Sequence, residues 1–296
     1  MAAKRAAPLA TLFSGLAARR APGVLYHYTS QQGLIGIFQS GSFWATNIRY
    51  LNDAKEFELA LELLDDVLHS KLQTASNKYD QALYTVLQES LNQASGSDVY
   101  VTSFSEDGDQ LGQWRAYCPA GSGYAVGLLP AVLRRAHGSY DRLLLLRCLY
   151  DEDEHRTLLH RLIGLAETYI HDAKVAQSTN PDRVYREAFK LFDAWLPTVA
   201  AVIKHSSFSE EREWRLLAPT AFFDHEPPSV RSGRSMLIPY QQFALSDSET
   251  AMQVSSIVIG PTPHSSLAEQ GVRALCVFHG TRNASIEVSD IPYRTW

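Results

Sequence analysis

Apolar positions recur along this chain in two rhythms. Short runs dense in β-branched and aromatic residues predict strands: Val24-Leu-Tyr-His-Tyr, Phe43-Trp-Ala-Thr, Val99-Tyr-Val-Thr-Ser-Phe-Ser, Tyr124-Ala-Val-Gly-Leu and Leu143 to Tyr150. Three further runs in the last quarter read the same way: Ser255-Ser-Ile-Val-Ile-Gly, Ala274-Leu-Cys-Val-Phe and Ala284-Ser-Ile-Glu-Val. Elsewhere the apolar residues return every three or four positions, the helical period. Gln31 to Gln39 carries Leu34, Ile35 and Phe38 as a stripe, with Thr29 or Ser30 as cap and Gly41 as stop. Asp53 with Glu56 opens a capping-box-like helix into the low seventies, and Tyr79 to Gln93 predicts another. Asp151 to Gln177 and Asp182 to Lys204 are helical around the breaker Ser178-Thr-Asn-Pro, and Pro197 is expected to kink or split the second.

Strands and helices alternate irregularly, and no Gly-rich phosphate loop follows a strand. The reading is therefore α+β rather than a doubly wound parallel sheet. No repeat or convincing linker divides the chain. One domain over 23–296, with a helical insertion at about 151–204, is the simplest organisation. Residues 1–22 read as a flexible tail: Met1 to Arg20 has no acidic residue, carries Lys4, Arg5, Arg19 and Arg20, and is interrupted by Pro8, Ser14 and Gly15. That composition suits a frayed, partly helical segment better than an export signal.

Composition narrows the classes. The chain is 45% hydrophobic and 20% charged, an ordinary globular balance. A formal net charge of −5 disfavours a dedicated nucleic-acid binder that relies on broad phosphate neutralisation. Cys118, Cys148 and Cys276 are far apart, show no metal-ligand spacing and, as an odd set, fit a reducing compartment, so a cytoplasmic protein without a metal is expected. No apolar stretch is long enough to span a bilayer.

The densest chemistry lies in Phe208-Ser-Glu-Glu-Arg-Glu-Trp-Arg-Leu-Leu. If extended, this segment places Glu211, Glu213 and Arg215 on one face and Trp214 and Leu216 on the other. Two carboxylates and a guanidinium would then stand on a rigid support, suited to stabilising charge. A solvated outer face of a half-buried strand is the plainer reading of the same pattern. An acid/base hydrolase acting on glycosidic or phosphodiester bonds is disfavoured, because neighbours on one strand face are too close together to flank a scissile bond.

At the front, Leu25-Tyr-His-Tyr-Thr-Ser-Gln-Gln-Gly-Leu-Ile-Gly-Ile-Phe-Gln-Ser-Gly resembles the opening nucleotide motif of ADP-ribosyltransferases of the diphtheria-toxin and poly(ADP-ribose) polymerase type. His27 takes the histidine position, Thr29 the hydroxyl position and Gly41 the closing glycine, while Tyr28 stands where that family has glycine. The resemblance implies a split β-sheet core with flanking helices and NAD as substrate. It further implies that His27 binds a ribose hydroxyl, aromatic side chains pack on the nicotinamide, and Glu213 stabilises the oxocarbenium-like transition state. Glu211 would match the first glutamate of the family's Glu-x-Glu, orienting the acceptor, with Arg215 keeping both carboxylates ionised. Ser103 in Val101-Thr-Ser-Phe-Ser falls where the family has its middle strand, with Ser105 on the same face and Phe104 opposite.

Over nearly its whole length the chain also resembles a widespread, poorly characterised bacterial family. Asn52, Asp53, Phe57, Trp114, Tyr117, Gly123, Glu211, Glu213, Arg215 and the closing Ile291-Pro-Tyr-Arg carry that likeness. Trp114 and Tyr117 fit a core or cleft wall, and Gly121 and Gly123 a hairpin turn. The function implied is an NAD-dependent ADP-ribosyltransferase or NAD glycohydrolase, modifying a protein or nucleic-acid acceptor in a toxin, effector or anti-phage role. The alternative is a catalytically silent nucleotide- or protein-binding module on the same fold, favoured by Tyr28.

Overall fold

The computed structural model describes residues 11–17, 19–21, 23–51, 55–91, 98–119, 121–136, 143–219, 227–233, 235–245 and 252–293. The expected Asp53–Glu56 capping box lies outside the residues whose side chains are described. Among them one open mixed sheet carries helices on both faces, an α+β arrangement. It begins with β1 (Leu25–Ser30), α1 (Gln31–Ser40) and β2 (Ser42–Asn47). Two long helices, α2 (Lys55–Thr74) and α3 (Lys78–Leu91), lead to β3 (Val99–Ser105). Then come α4 (Leu111–Tyr117), β4 (Gly123–Leu128), a single turn α5 (Pro130–Leu133) and β5 (Leu144–Arg147). The helical segment is α6 (Glu152–Asp172) and α7 (Pro181–Ala200), after which β6 runs from Glu213 to Pro219. A hairpin of β7 (Ser229–Ser232) and β8 (Leu237–Ala244), then β9 (Ser256–Ile259), α8 (Ser265–Phe278) and β10 (Ser285–Val288), complete the chain.

Local chemistry explains most of these boundaries. Ser30 caps α1 by accepting from Gly33 N at 3.1 Å, and Gly41 ends it in the left-handed region at φ +60°. Asp151 caps α6 and Asn180 caps α7, whose first residue is Pro181. α7 runs unbroken through Pro197 to Ala200, so the expected kink is not made. Pro197 sits in the final turn, where its ring has little helix left to disturb. Ala274-Leu-Cys-Val-Phe, expected as a strand, is the last turn of α8, with Val272 and Cys276 buried four residues apart. An apolar run this short does not separate a strand from a buried helix face.

β3 organises the sheet. One edge pairs along its whole length with β6, from Val99↔Pro219 to Ser105↔Glu213, and β6 pairs in turn with β5. The other edge forks. β1 meets it only at Tyr26↔Ser105, whereas β2 meets it at Thr46↔Val101 and Asn47↔Tyr100. From the fork one arm continues β1–β4–β9–β10, with β9 and β10 parallel, and the other continues β2–β8–β7.

Alternation along these registers divides the side chains. On the first face lie Tyr26, Ser103, Ser105, Glu213, Arg215 and Leu217; on the second lie Leu25, His27, Phe104, Trp214 and Leu216. α2, α3, α6 and α7 cover the first face around Leu64, Leu68, Leu162, Phe192 and Trp195, while α1, α5 and α8 cover the second around Ile37, Leu133 and Val272. The helical segment is thus half of a four-helix layer rather than an outgrowth.

The N-terminal residues expected as a loose tail are docked where described. Leu12, Phe13 and Ala17 are fully buried in the helical layer, Phe13 lying edge-on to Trp195 at 6.5 Å. Arg161 donates to the carbonyls of Leu12 and Ser14, and Arg147 N donates to Ala17 O. Burying side chains of this size is worth about 1.5–3 kcal/mol each, enough to overcome the low helical tendency of the segment.

Candidate functional site

At the start of β6 four charged side chains meet beneath the helical layer. Arg215 grips the Glu213 carboxylate in a two-pronged pair, Nε to Oε1 at 2.8 Å and Nη2 to Oε2 at 3.0 Å. Lys204 Nζ reaches Glu213 Oε2 at 2.8 Å and Glu211 Oε2 at 2.5 Å. Lys204, Arg215 and Glu213 are 1%, 2% and 6% exposed. Only Glu211 reaches toward solvent. Burial alone would push the Glu213 carboxyl up, but Arg215 and then Lys204 outweigh it and hold it at about 2.

The backbone around the cluster is pinned from several sides. Arg215 Nη1 donates to Ala201 O at 2.7 Å, just past the end of α7, where helix carbonyls lack partners. Leu149 bridges Ile203 in parallel, and Lys204 N donates to Leu149 O at 2.9 Å. Glu213 N donates to the Tyr150 hydroxyl at 2.9 Å, and the Phe208 ring lies 5.0 Å from Lys204 Nζ. Lys204 was not anticipated from the sequence. Its only signal there is a single lysine closing the apolar run Val199 to Ile203.

Glu211 does not lie on the strand as expected. Ser206–Glu211 is a 3₁₀ helix, and Arg212 takes the left-handed conformation at φ 44°, ψ 50°. That turn breaks the alternation before Glu213, at a cost of about 1–2 kcal/mol for a residue with a Cβ. Its partners hold it: Arg212 O accepts from Glu106 N, and its guanidinium meets Asp107 at 2.8 Å. The two glutamates still come together, bridged by Lys204 instead of a shared strand face.

His27 stands apart. It lies on the second face, with its ring wedged in the fork 4.8 Å from Phe43 and 5.8 Å from Phe104. Nδ1 is 2.9 Å from Ser103 O, and a carbonyl can only accept, so Nδ1 carries the proton. Desolvation lowers its pKa, partly offset by that hydrogen bond. The roles expected for His27 and Glu213 on one NAD molecule are therefore not supported by a shared hollow, because register puts the two side chains on opposite faces of the sheet. Ser103 is on the Glu213 side, paired with Arg215 across β3 and β6.

Tyr28 and Thr29 are committed to neighbouring structure. The Tyr28 hydroxyl donates to Asp107 O at 2.8 Å and accepts from Gln110 N at 3.0 Å. Its ring packs 4.6 Å from Trp114, which is buried and donates to Asp109 Oδ1 at 2.7 Å. Burial raises the Tyr28 pKa, despite the hydrogen bond from Gln110. The Thr29 hydroxyl lies over the first turn of α1, where a Cβ on Gly33 would come within 1.9 Å of it.

Beside α4 a hollow of about 140 Å³ is lined by Trp114, Arg115, Cys118, Pro119, Gly121, Gly123, Pro261 and Tyr293. Arg115 lies over the Tyr293 ring at 4.9 Å. Trp114 and Gly123 are thus drawn together with Tyr293 of the distant closing motif. Arg115 had no sequence signal. Among the described residues no cluster of three or more His, Cys, Asp or Glu side chains could hold a metal, and no helix is long and apolar enough to cross a membrane.

Residues 113–216, about a third of the chain, match a family described as "Protein of unknown function (DUF2971)". The match runs from α4 to β6, so it spans Trp114, Lys204, Glu211, Glu213 and Arg215. No curated protein and no solved structure matches the chain.

Proposed function

We propose that this protein is a nucleotide-binding module on an ADP-ribosyltransferase-like sheet, holding its ligand without cleaving it. The forked β3, the antiparallel order β1–β3–β6–β5 and the run from His27 to Gly41 support the transferase-like part. The silent part is carried by one observation: both oxygens of the Glu213 carboxylate are held by buried cations. Transferase chemistry needs a carboxylate free to hold a ribose hydroxyl and to oppose developing positive charge. Glu213 is already neutralised by Arg215 and Lys204, and His27 is turned to the other face.

Calorimetric titration with NAD and ADP-ribose, paired with an assay for released nicotinamide, tests this. Saturable NAD binding without nicotinamide is expected. Nicotinamide release that vanishes in a Glu213→Gln variant, assayed well below its melting temperature, overturns the silent reading. Failure of both nucleotides to bind overturns the nucleotide reading.

A second reading is an active NAD-dependent ADP-ribosyltransferase or glycohydrolase. It is favoured by the proximity of Glu211 and Glu213, with Glu211 partly open to solvent. It requires Lys204 to leave Glu213 when ligand arrives, and the release assay decides it.

A further inference from the structure

We propose that the hollow beside α4 binds one nucleotide half of the ligand, a nucleoside with its phosphate, with Arg115 as the phosphate partner. This rests on the nucleotide reading above and assigns its site. The described lining contains one cation and no carboxylate, which favours an anion. Among the described residues the Arg115 guanidinium forms no ion pair and no hydrogen bond; its described contact is the Tyr293 ring. An exposed guanidinium resting on an aromatic face keeps its planar fork of donors available to a phosphate.

The remaining walls suit a flat ring. Trp114, Pro119, Pro261 and Tyr293 are apolar or aromatic, and Tyr293 already accepts a planar group over its face. Gly123 lets the Cys118 and Trp114 side chains close against the strand, since a Cβ there would come within 2.6 Å of Cys118 Sγ. At about 140 Å³ the space is well below the 300 Å³ or more usual for a whole drug-sized ligand, so it takes one nucleotide half of a dinucleotide and leaves the other half outside. Tyr293 reaches the hollow because Ile291 packs on the Tyr28, Trp114 and Val258 cluster, which gives the closing motif of the chain a role.

The test is calorimetry with AMP, inorganic phosphate and neutral nicotinamide on wild type, Arg115→Gln and Tyr293→Leu. Both substituted side chains lie at the surface or partly so, and melting curves confirm that the variants fold. AMP should bind wild type saturably and lose about tenfold in affinity in Arg115→Gln, the loss of one charge-assisted contact. Tyr293→Leu should weaken AMP by more than it weakens phosphate. AMP affinity within twofold of wild type in Arg115→Gln overturns the assignment. NAD binding that is indifferent to Arg115→Gln rejects the hollow while leaving the nucleotide reading intact. Absence of both NAD and AMP binding to wild type rejects the two together.

Discussion

Glu213→Gln separates a structural carboxylate from a catalytic one. The substitution keeps the size but removes the charge that faces Arg215 and Lys204 and turns one accepting oxygen into a donor. Holding the carboxyl at about 2 instead of 4.5, at about 1.4 kcal/mol per pH unit, corresponds to roughly 3 kcal/mol of net interaction with its surroundings. With Glu213 6% exposed, solvent screening does not reduce that figure much. Breaking a buried ion pair on one side costs about 3–5 kcal/mol, in agreement. The melting temperature should therefore fall by roughly 6–10 °C. The folded pKa lies below the unfolded one, so this stabilisation is complete above pH 4.5 and is lost as pH falls toward 2. The gap between wild type and variant should accordingly close across that window. Thermal melts from pH 7 to pH 3 measure both effects. A variant that melts within about 1 °C of wild type at neutral pH, or a gap independent of pH, would refute the account of the cluster. Adding Lys204→Met to Glu213→Gln removes one of the two cations left facing a neutral amide, and the double variant should be less destabilised than the two single effects summed.

Other consequences are open to direct measurement. The folded pKa of His27 is lowered, so the unfolded chain takes up its proton first as pH drops below 6.5. Stability should fall in that range by up to about 1.4 kcal/mol per pH unit, and His27→Gln, which keeps a donor for Ser103 O, should flatten the slope relative to wild type. Gly33→Ala sets a methyl 1.9 Å from the Thr29 hydroxyl and should destabilise by about 1–3 kcal/mol, with Thr29→Ala restoring most of the loss in thermal melts. Phe13→Ala should cost about 3 kcal/mol and raise hydrogen exchange in α6 and α7; a neutral outcome would show that the N-terminal segment is not part of the core.

What the amino-acid order determined by itself is local. The β1, β3, β4 and β9 segments are dense in β-branched and aromatic residues, and the Ser30 and Asp151 caps and the Gly41 stop follow from side-chain chemistry within a few positions. Periodicity likewise announced α2, α3, α6 and α7. It failed where local preference is weak: Ala274 to Phe278 suits either element, and the β7–β8 hairpin and short α4 carry little pattern. The pairing of Glu213 with Arg215 was legible because both sit on one strand two residues apart. Tertiary structure alone decided the rest. A left-handed turn at Arg212 took Glu211 off the strand, and the end of α7 brought Lys204 between the two glutamates. The single register Tyr26↔Ser105↔Glu213 sent His27 to the other side of the sheet. With a side-chain period of two, a shift of one residue in that pairing would have reversed the outcome, and such a choice is made by long-range packing rather than by any run of residues.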